Sequence, residues 1–191
     1  MRTIDISAEE MKSRVSRFRE LKPLRAAESL DIPQEAKDVI YSRELLSVIG
    51  LEDSDTPVNQ GAPIVGAGGI TMTHAKCPPG TGPSLHAHQQ TYETFTVMKG
   101  RFEVRWNDDG EQRVELEELD TISVPPGVCR AFRNIGDEDG ILQVIISGGV
   151  HDMNDIDFPK ATAEQLASYG EDVVRQFEER GMTFTAGKDA C

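Results

Sequence analysis

Short runs of alternating apolar and polar residues fill the middle of the chain, from about residue 70 to residue 147. In the run RFEVRW, apolar side chains at Phe102, Val104 and Trp106 alternate with charged ones, which is the pattern of a half-buried strand. Turn sequences such as PPGTG, NDDG and GDEDG separate the runs. Several short strands with turn chemistry between them predict an all-β core, built as an antiparallel sandwich or barrel.

A helical pattern opens the chain. Ser7 and Glu10 have the spacing of a capping box, in which a serine and a glutamate three residues later satisfy the first backbone amides of a helix. An apolar stripe with helical spacing follows at Met11, Val15 and Phe18. We therefore predict an N-terminal helical arm over residues 1–62, packing on the β core or on a partner.

A second helical pattern closes the chain. Leu166, Tyr169, Val173 and Phe177 form an apolar stripe, and Gly181 suits the left-handed residue that ends many helices. The predicted plan is the arm over 1–62, a β-barrel over 63–150, and a C-terminal loop and helix over 151–191.

The acidic composition narrows the possible partners. The 191 residues include 20 basic and 33 acidic ones, for a formal net charge of −13, and such a surface repels nucleic acid phosphates and anionic lipid headgroups. We see neither a secretory signal nor an apolar run of the about 20 residues that cross a membrane. Three widely spaced cysteines argue against a disulfide framework. We expect a cytoplasmic protein that binds a small molecule, and neither nucleic acid nor membranes.

The stretch GPSLHAHQQTYETF carries the candidate chemistry. His86 and His88 lie two residues apart, so on a strand both rings face the same side, about 7 Å apart along the backbone. Glu93 begins the next predicted strand, and a tight hairpin would bring its carboxylate beside the pair. Two imidazoles and a carboxylate suit one divalent metal ion per subunit: Fe first, with Mn, Ni, Co or Zn as alternatives.

Residues 80–100 resemble the first motif of the cupin superfamily, G-x5-H-x-H-x4-E-x6-G, at every fixed position. The matching residues are Gly80, His86, His88, Glu93 and Gly100. The resemblance extends over about residues 66–148. It implies a cupin-type antiparallel β-barrel (jelly roll), commonly dimeric, with N-terminal and C-terminal helical extensions in this chain. It also implies that the two histidines and the glutamate bind a metal inside the mouth of the barrel.

The second cupin motif, G-x5-P-x-G-x2-H-x3-N, is similar to residues 119–134 but incomplete there. Pro125, Gly127 and Asn134 are in place, whereas Leu119 takes the glycine position. Arg130 takes the position of the fourth metal ligand, a histidine in the family.

An arginine offers only hydrogen-bond donors and cannot ligate a metal. If the register follows the family, Arg130 projects into the barrel, and two arrangements then make sense. In the first, His86, His88 and Glu93 hold the ion while Arg130 binds an anionic substrate, oriented by two hydrogen bonds. In the second, the ion is weak or absent and Arg130 pairs with Glu93. His74 and His151 are possible further ligands.

These features predict a metal-dependent cupin enzyme, foremost a mononuclear non-haem dioxygenase acting on a small anionic or enolisable substrate through His86, His88, Glu93 and Arg130. Two alternatives stay open: a metal-dependent lyase, isomerase or cyclase, in which the ion is a Lewis acid, and a non-catalytic small-molecule-binding cupin. Because sheet edges need cover and the N-terminal arm can cross to a second subunit, we expect a homodimer.

Overall fold

Strands dominate the fold. The computed structural model describes residues 1–24, 30–52, 54, 56–148 and 153–188. The helices are α1 (Ala8–Lys12), α2 (Gln34–Ile40), α3 (Pro57–Gln60), α4 (Lys160–Ala167) and α5 (Val173–Glu178), with short 3-10 turns at Phe18–Glu20 and Met153–Asp155. The strands are β1 (Glu44–Gly50), β2 (Ile64–Val65), β3 (Ile70–Cys77), β4 (Ala87–His88), β5 (Tyr92–Lys99), β6 (Phe102–Trp106), β7 (Gln112–Leu116), β8 (Thr121–Val124), β9 (Arg130–Asn134), β10 (Gly140–Ser147), β11 (Ile156–Pro159) and β12 (Thr183–Ala186). The predicted all-β core is confirmed.

The strands form three separate sheets. The largest has six strands in the order β2-β1-β3-β10-β5-β8, and the two smaller ones have the orders β7-β6-β9 and β12-β11-β4. Strands β7 and β8 are edge strands, each hydrogen-bonded to a single neighbour. In the described part of the chain the sheets therefore do not close, and the predicted antiparallel β-barrel (jelly roll) is present as an all-β core of open sheets.

The main apolar core lies between the inward faces of the six-stranded sheet and of β7-β6-β9. The Phe132 ring packs against Phe95 and Phe102: its centroid lies 5.1 Å from that of Phe95 and 6.2 Å from that of Phe102. On β6 the predicted alternation holds for Phe102 and Val104, which are fully buried, while Trp106 is half-buried. Edge-to-face contacts of this kind favour one packing of the aromatic rings over others.

The helical extensions are minor. Ser7 caps α1 through the predicted capping box, but the helix ends at Lys12, before Val15 and Phe18 of the predicted stripe. The segment predicted as a helical arm also contains β1, which pairs with β3 in register from Glu44↔Lys76. A short apolar run such as ELLSVIG is compatible with a helix or a strand. It forms a strand here because it pairs with β3.

The C-terminal segment adds two strands to its helices. The predicted apolar stripe is divided between two helices: Leu166 lies in α4, and Val173 and Phe177 lie in α5. Gly170 lies between the two helices. Buried side chains of this segment pack with those of α2 in a second apolar cluster, which includes Val39, Phe158, Leu166 and Phe177. This packing holds β11 beside β4, where Ile156 pairs with His88. No helix in the described residues is long and apolar enough to span a membrane.

Candidate metal centre

Two neighbouring segments deliver the predicted ligands to one buried place. His86 precedes β4, where a bridge to Arg130 of β9 holds its backbone, and His88 lies in β4. Glu93 lies on β5 and shares its inward face with Phe95 and Val97, all of them buried. The alternation of β5 thus places a carboxylate at the polar end of an apolar wall, as its sequence predicts.

The three side chains converge on a single carboxylate oxygen. The Nε2 atoms of His86 and His88 lie 3.4 and 3.7 Å from Oε2 of Glu93. One ligand atom from each residue lies within 4.8 Å of the others. The group can therefore hold a metal ion.

Hydrogen bonds at the far side of each ring direct Nε2 toward this oxygen. Nδ1 of His86 lies 2.9 Å from the carbonyl oxygen of Ser84. A carbonyl only accepts, so Nδ1 must donate and a neutral ring keeps its Nε2 lone pair free. Nδ1 of His88 lies 3.0 Å from Oδ2 of Asp155 and from Oγ1 of Thr91.

Asp155 is a site residue that the sequence reasoning missed. It is almost fully buried, and it accepts hydrogen bonds from the Thr91 hydroxyl at 2.6 Å and the Gln90 amide at 2.7 Å. Burial opposes ionisation of Asp155, but the hydrogen bonds from His88, Thr91 and Gln90 outweigh it and hold its pKa below the usual value. An aspartate in the run DMNDIDF belongs to no motif, so its contact with His88 carried no local signal.

Arg130 lies inside the core with its side chain directed at Glu93. It is 0% exposed, and its Nε lies 3.6 Å from Oε2 of Glu93, an ion-pair distance that is longer than a hydrogen bond. Its Nη2 donates to the carbonyl of Pro125 at 3.1 Å. Nε and Nη1 of Arg130 and Oε2 of Glu93 have no hydrogen-bond partner among the described residues.

The charges around Glu93 keep it ionised. Burial alone would raise the pKa of Glu93, but His88, His86 and Arg130 outweigh it and lower the pKa to about 2. Burial lowers the pKa of Arg130, and the negative charge of Glu93 acts in the opposite direction. A carboxylate and a guanidinium therefore face each other in a low-dielectric interior, each with hydrogen-bonding capacity left over.

His74, one of the two further ligands that the sequence suggests, does not join this group. His74 lies on the outer face of β3 with Ile70 and Met72, away from the core, and packs edge-to-face on Phe18 with centroids 5.7 Å apart. Burial lowers the pKa of His74. His151 lies outside the described residues.

The donor set fits a divalent cation. Two imidazoles with oriented Nε2 atoms and a carboxylate oxygen without a hydrogen-bond partner are the ligands that Fe, Mn, Co, Ni and Zn accept. A buried acceptor with no donor is costly in a folded protein. A cation between these atoms would remove that cost.

A groove of about 460 Å³ lies elsewhere, on the outer face of β6 and β9. Its walls include Glu103, Arg105, Ala131 and Arg133, whose side chains alternate with the inward-facing ones of the same strands. Ser84 also lines this groove, and its carbonyl oxygen accepts the hydrogen bond from Nδ1 of His86.

Comparison with known proteins identifies the β core as a cupin domain. Residues 73–146 match the family model for the cupin domain. The matched region contains His86, His88, Glu93 and Arg130, and it ends before Asp155. No curated protein matches the chain.

Several solved structures are similar in part. BH2720 from Bacillus halodurans is 21% identical over 47% of this chain and 70% of that chain, with a TM-score of 0.43. A cupin protein from Bacteroides fragilis is 24% identical over 45% and 73%, with a TM-score of 0.39. The cupin domain of Schizosaccharomyces pombe Cnp3 is 15% identical over 68% and 82%, with a TM-score of 0.42.

Proposed function

We propose that this protein is a metal-dependent cupin enzyme, foremost a mononuclear non-haem dioxygenase, that acts on a small organic anion. His86, His88 and Glu93 would hold one divalent ion, and Arg130 would bind the substrate. The observation that carries the proposal is the convergence of two oriented Nε2 atoms on a carboxylate oxygen that lacks a hydrogen-bond partner.

The balance of buried charge favours an anionic guest. Glu93 and Asp155 each contribute one negative charge and Arg130 one positive charge, so with neutral imidazoles the protein side of the centre has a net charge of about −1. A divalent ion reverses that sign. Because an uncompensated charge is costly in a buried site, a singly charged anion is the guest that restores neutrality.

Arg130 has the donors to receive that anion. Its Nε and Nη1 are buried without hydrogen-bond partners, and neighbouring N–H groups of a guanidinium fit the two oxygens of a carboxylate. A bound carboxylate or enolate would therefore satisfy two donors at once, and its orientation would be set by the planar group. We therefore propose small carboxylic acids as the substrates, with aromatic and dicarbonyl acids as the first to test.

When bound, a redox-active ion such as Fe(II) would supply electrons for O₂ activation, a chemistry that sets of two histidines and one carboxylate support. The protein contributes position and exclusion of water. The Phe158 ring lies against His86 with centroids 5.8 Å apart, and Phe95 lines the face of β5 beside Glu93. These apolar walls would exclude water from the two imidazoles, and a lower local dielectric would strengthen electrostatic contacts within the site.

Oxygen consumption by a reconstituted protein tests the proposal. Metal-free protein is loaded with Fe(II) under anaerobic conditions, its metal content is verified, and O₂ uptake is followed with a panel of aromatic and dicarbonyl acids. We expect uptake that depends on one of these acids and is lost in Glu93→Gln, which keeps the side-chain shape but removes the charge. A fully loaded protein that consumes no O₂ with any acid would contradict the dioxygenase proposal.

A lyase, isomerase or cyclase is the second candidate, and Arg130 is the observation that favours it. A buried guanidinium with two unpartnered donors would stabilise an enolate as well as a carboxylate, with the ion as a Lewis acid. Turnover under argon with Zn(II) in place of Fe(II) would identify this chemistry. Substoichiometric metal together with a tightly bound organic molecule would identify a non-catalytic binding protein.

A further inference from the structure

The residue that holds His88 comes from outside the cupin match. Asp155 follows the matched region, residues 73–146, and belongs to the segment that enters β11. Its carboxylate nevertheless lies 3.0 Å from Nδ1 of His88, a ring that is almost fully buried itself.

We propose that Asp155 is a positioning residue of the metal centre: by accepting a hydrogen bond from Nδ1 of His88, it fixes the tautomer and the ring orientation that present Nε2 as a ligand atom. This rests on the proposed metal site. Its role is to act through His88, without touching the metal or the substrate.

The hydrogen-bond directions around Asp155 leave His88 one tautomer. Oδ1 accepts from the Gln90 amide at 2.7 Å, and Oδ2 accepts from the Thr91 hydroxyl at 2.6 Å. The Thr91 proton is therefore directed at Asp155, and an ionised carboxylate only accepts. Nδ1 of His88 must be the donor, so its proton lies on the side away from Glu93.

The backbone makes this contact rigid. The Gln89 amide donates to the Asp155 carbonyl at 2.8 Å, and β11 pairs with β4 through Ile156↔His88 and Asp157↔Ala87. Asp155 is thus held at both its main chain and its side chain. A partner fixed in this way orients a ligand ring and makes its other nitrogen a stronger electron-pair donor.

An amide at this position would disturb the arrangement. Asp155→Asn replaces two acceptor oxygens by one acceptor and one NH₂ donor. If the NH₂ group faces His88, Nδ1 must accept and the ring proton moves to Nε2, which blocks the ligand atom. If the oxygen faces His88, the Gln90 amide loses its acceptor and the negative charge behind the ring is lost.

The experiment compares Asp155→Asn with Asp157→Asn. Asp157 is a matched control: it is buried two residues further along the chain, in β11, and accepts hydrogen bonds of 2.9 and 2.7 Å from Thr185 instead of from a histidine. Zn(II) affinity is measured on metal-free protein by competition with a chelator. The tautomer of His88 is read by ¹H–¹⁵N NMR of the metal-free protein.

We expect the wild-type His88 to be protonated at Nδ1. Asp155→Asn should weaken Zn(II) binding by about 10- to 100-fold, whereas Asp157→Asn should keep the wild-type affinity even if it lowers stability. Equal losses in the two variants, or an Asp155→Asn affinity within about twofold of wild type, would overturn the proposal.

The tautomer measurement separates this proposal from the proposed function. If the wild-type protein binds no Zn(II), the proposed function fails, while a wild-type His88 protonated at Nδ1 that changes in Asp155→Asn still supports the role of Asp155. If Asp155→Asn does not fold, the wild-type tautomer decides by itself. A wild-type His88 protonated at Nε2 would overturn the proposal in every case.

Discussion

Oε2 of Glu93 is the atom on which the candidate chemistry converges. It lies within 3.4 to 3.7 Å of Nε2 of His86, Nε of Arg130 and Nε2 of His88. A guanidinium and a metal ion both favour a carboxylate oxygen, so Arg130 opposes metal binding as long as no anion lies between them. The same guanidinium would then become the partner of an anionic substrate. Metal affinity and substrate affinity should therefore respond to Arg130 in opposite directions.

Arg130→Met tests this opposition, because methionine fills a similar apolar volume without the charge. We expect the affinity of the metal-free protein for Zn(II) to rise by about three- to tenfold as the competing cation is removed. Hydrogen bonds to charged groups contribute about 1.5–3 kcal/mol each, and the loss of two of them should raise the Kd of a bound carboxylate by at least about 100-fold. Both constants are measured by isothermal titration calorimetry.

Arg130→Lys is the matched control for that prediction. A lysine keeps the positive charge but loses the planar pair of donors, so metal affinity should stay near the wild-type value while carboxylate binding still weakens. If Arg130→Met bound the carboxylate as tightly as wild type does, Arg130 would not be a substrate-binding residue.

The thiols of Cys77 and Cys129 should be inert in the folded protein. Burial raises the pKa of Cys77 to about 12 and the pKa of Cys129 to about 11, and the thiolate is the reactive form. We predict that iodoacetamide alkylates both at least about a hundredfold more slowly than in urea-unfolded protein, as measured by peptide mass spectrometry. Equal rates in folded and unfolded protein would contradict their burial.

The loop between β3 and β4 sets the position of His86, and Gly82 is its tightest point. A Cβ atom at Gly82, where φ is +156°, would overlap the carbonyl oxygen of Phe132. That oxygen belongs to β9, which also carries Arg130. Loop and strand therefore approach each other as closely as a glycine allows, and the candidate centre lies beside this contact.

Gly82→Ala should consequently destabilise the protein by about 2–4 kcal/mol, because backbone atoms must move apart and the positive φ adds strain. Gly68→Ala is the control: its φ is +70°, but a Cβ there meets nothing within 4 Å, so the cost should be about 1 kcal/mol. Urea unfolding measures both values. Equal effects of the two substitutions would contradict the close approach.

Elements with a strong local pattern could be predicted from the sequence, and elements decided by distant partners could not. The alternation on β5 and β6 and the cap at Ser7 are local, and the structure has them as predicted. Strand β1 forms because β3 is available as a neighbour, which the run ELLSVIG does not encode. Likewise, Asp155 reaches His88 only because β11 pairs with β4, a contact between residues 67 positions apart.

The N-terminal segment over residues 4–18 has an exposed apolar surface. Five of its apolar side chains are exposed: those of Ile4, Ile6, Met11, Val15 and Phe18. Apolar side chains grouped on a surface usually mark an interaction site. The arm is tied to its own chain by hydrogen bonds such as that from Leu24 to Leu45, 2.8 Å long. A second copy of the chain is the partner we propose for this surface.

Light scattering coupled to size exclusion tests that proposal. We predict a homodimer of about twice the chain mass of 21.0 kDa, and a monomer when Ile4→Asp and Ile6→Asp place two charges in the arm. Metal content should not change in that variant, since the candidate centre is built within one chain. A monomeric wild-type protein would contradict the proposed dimer.

The cupin domain and the proximity of His86, His88 and Glu93 were predictable because the first cupin motif is complete in the sequence, whereas the extent of sheet closure was not. Closure depends on how edge strands such as β7 and β8 meet across the core, and no local pattern reports that. The sequence predicted an inward-facing Arg130 and left its pairing with Glu93 as one of two arrangements, because the distance between these residues depends on strands from separate sheets.

Metal stoichiometry is the most direct measurement of whether His86, His88 and Glu93 form a cation site. Metal-free wild-type protein, His86→Ala and the outer-face control His74→Ala are incubated with Fe(II) or Zn(II), desalted and analysed by inductively coupled plasma mass spectrometry. We predict about one divalent ion per chain in the wild type and in His74→Ala, and almost none in His86→Ala. A wild-type protein that retains no metal, or a His86→Ala variant that retains as much as wild type, would contradict the assignment.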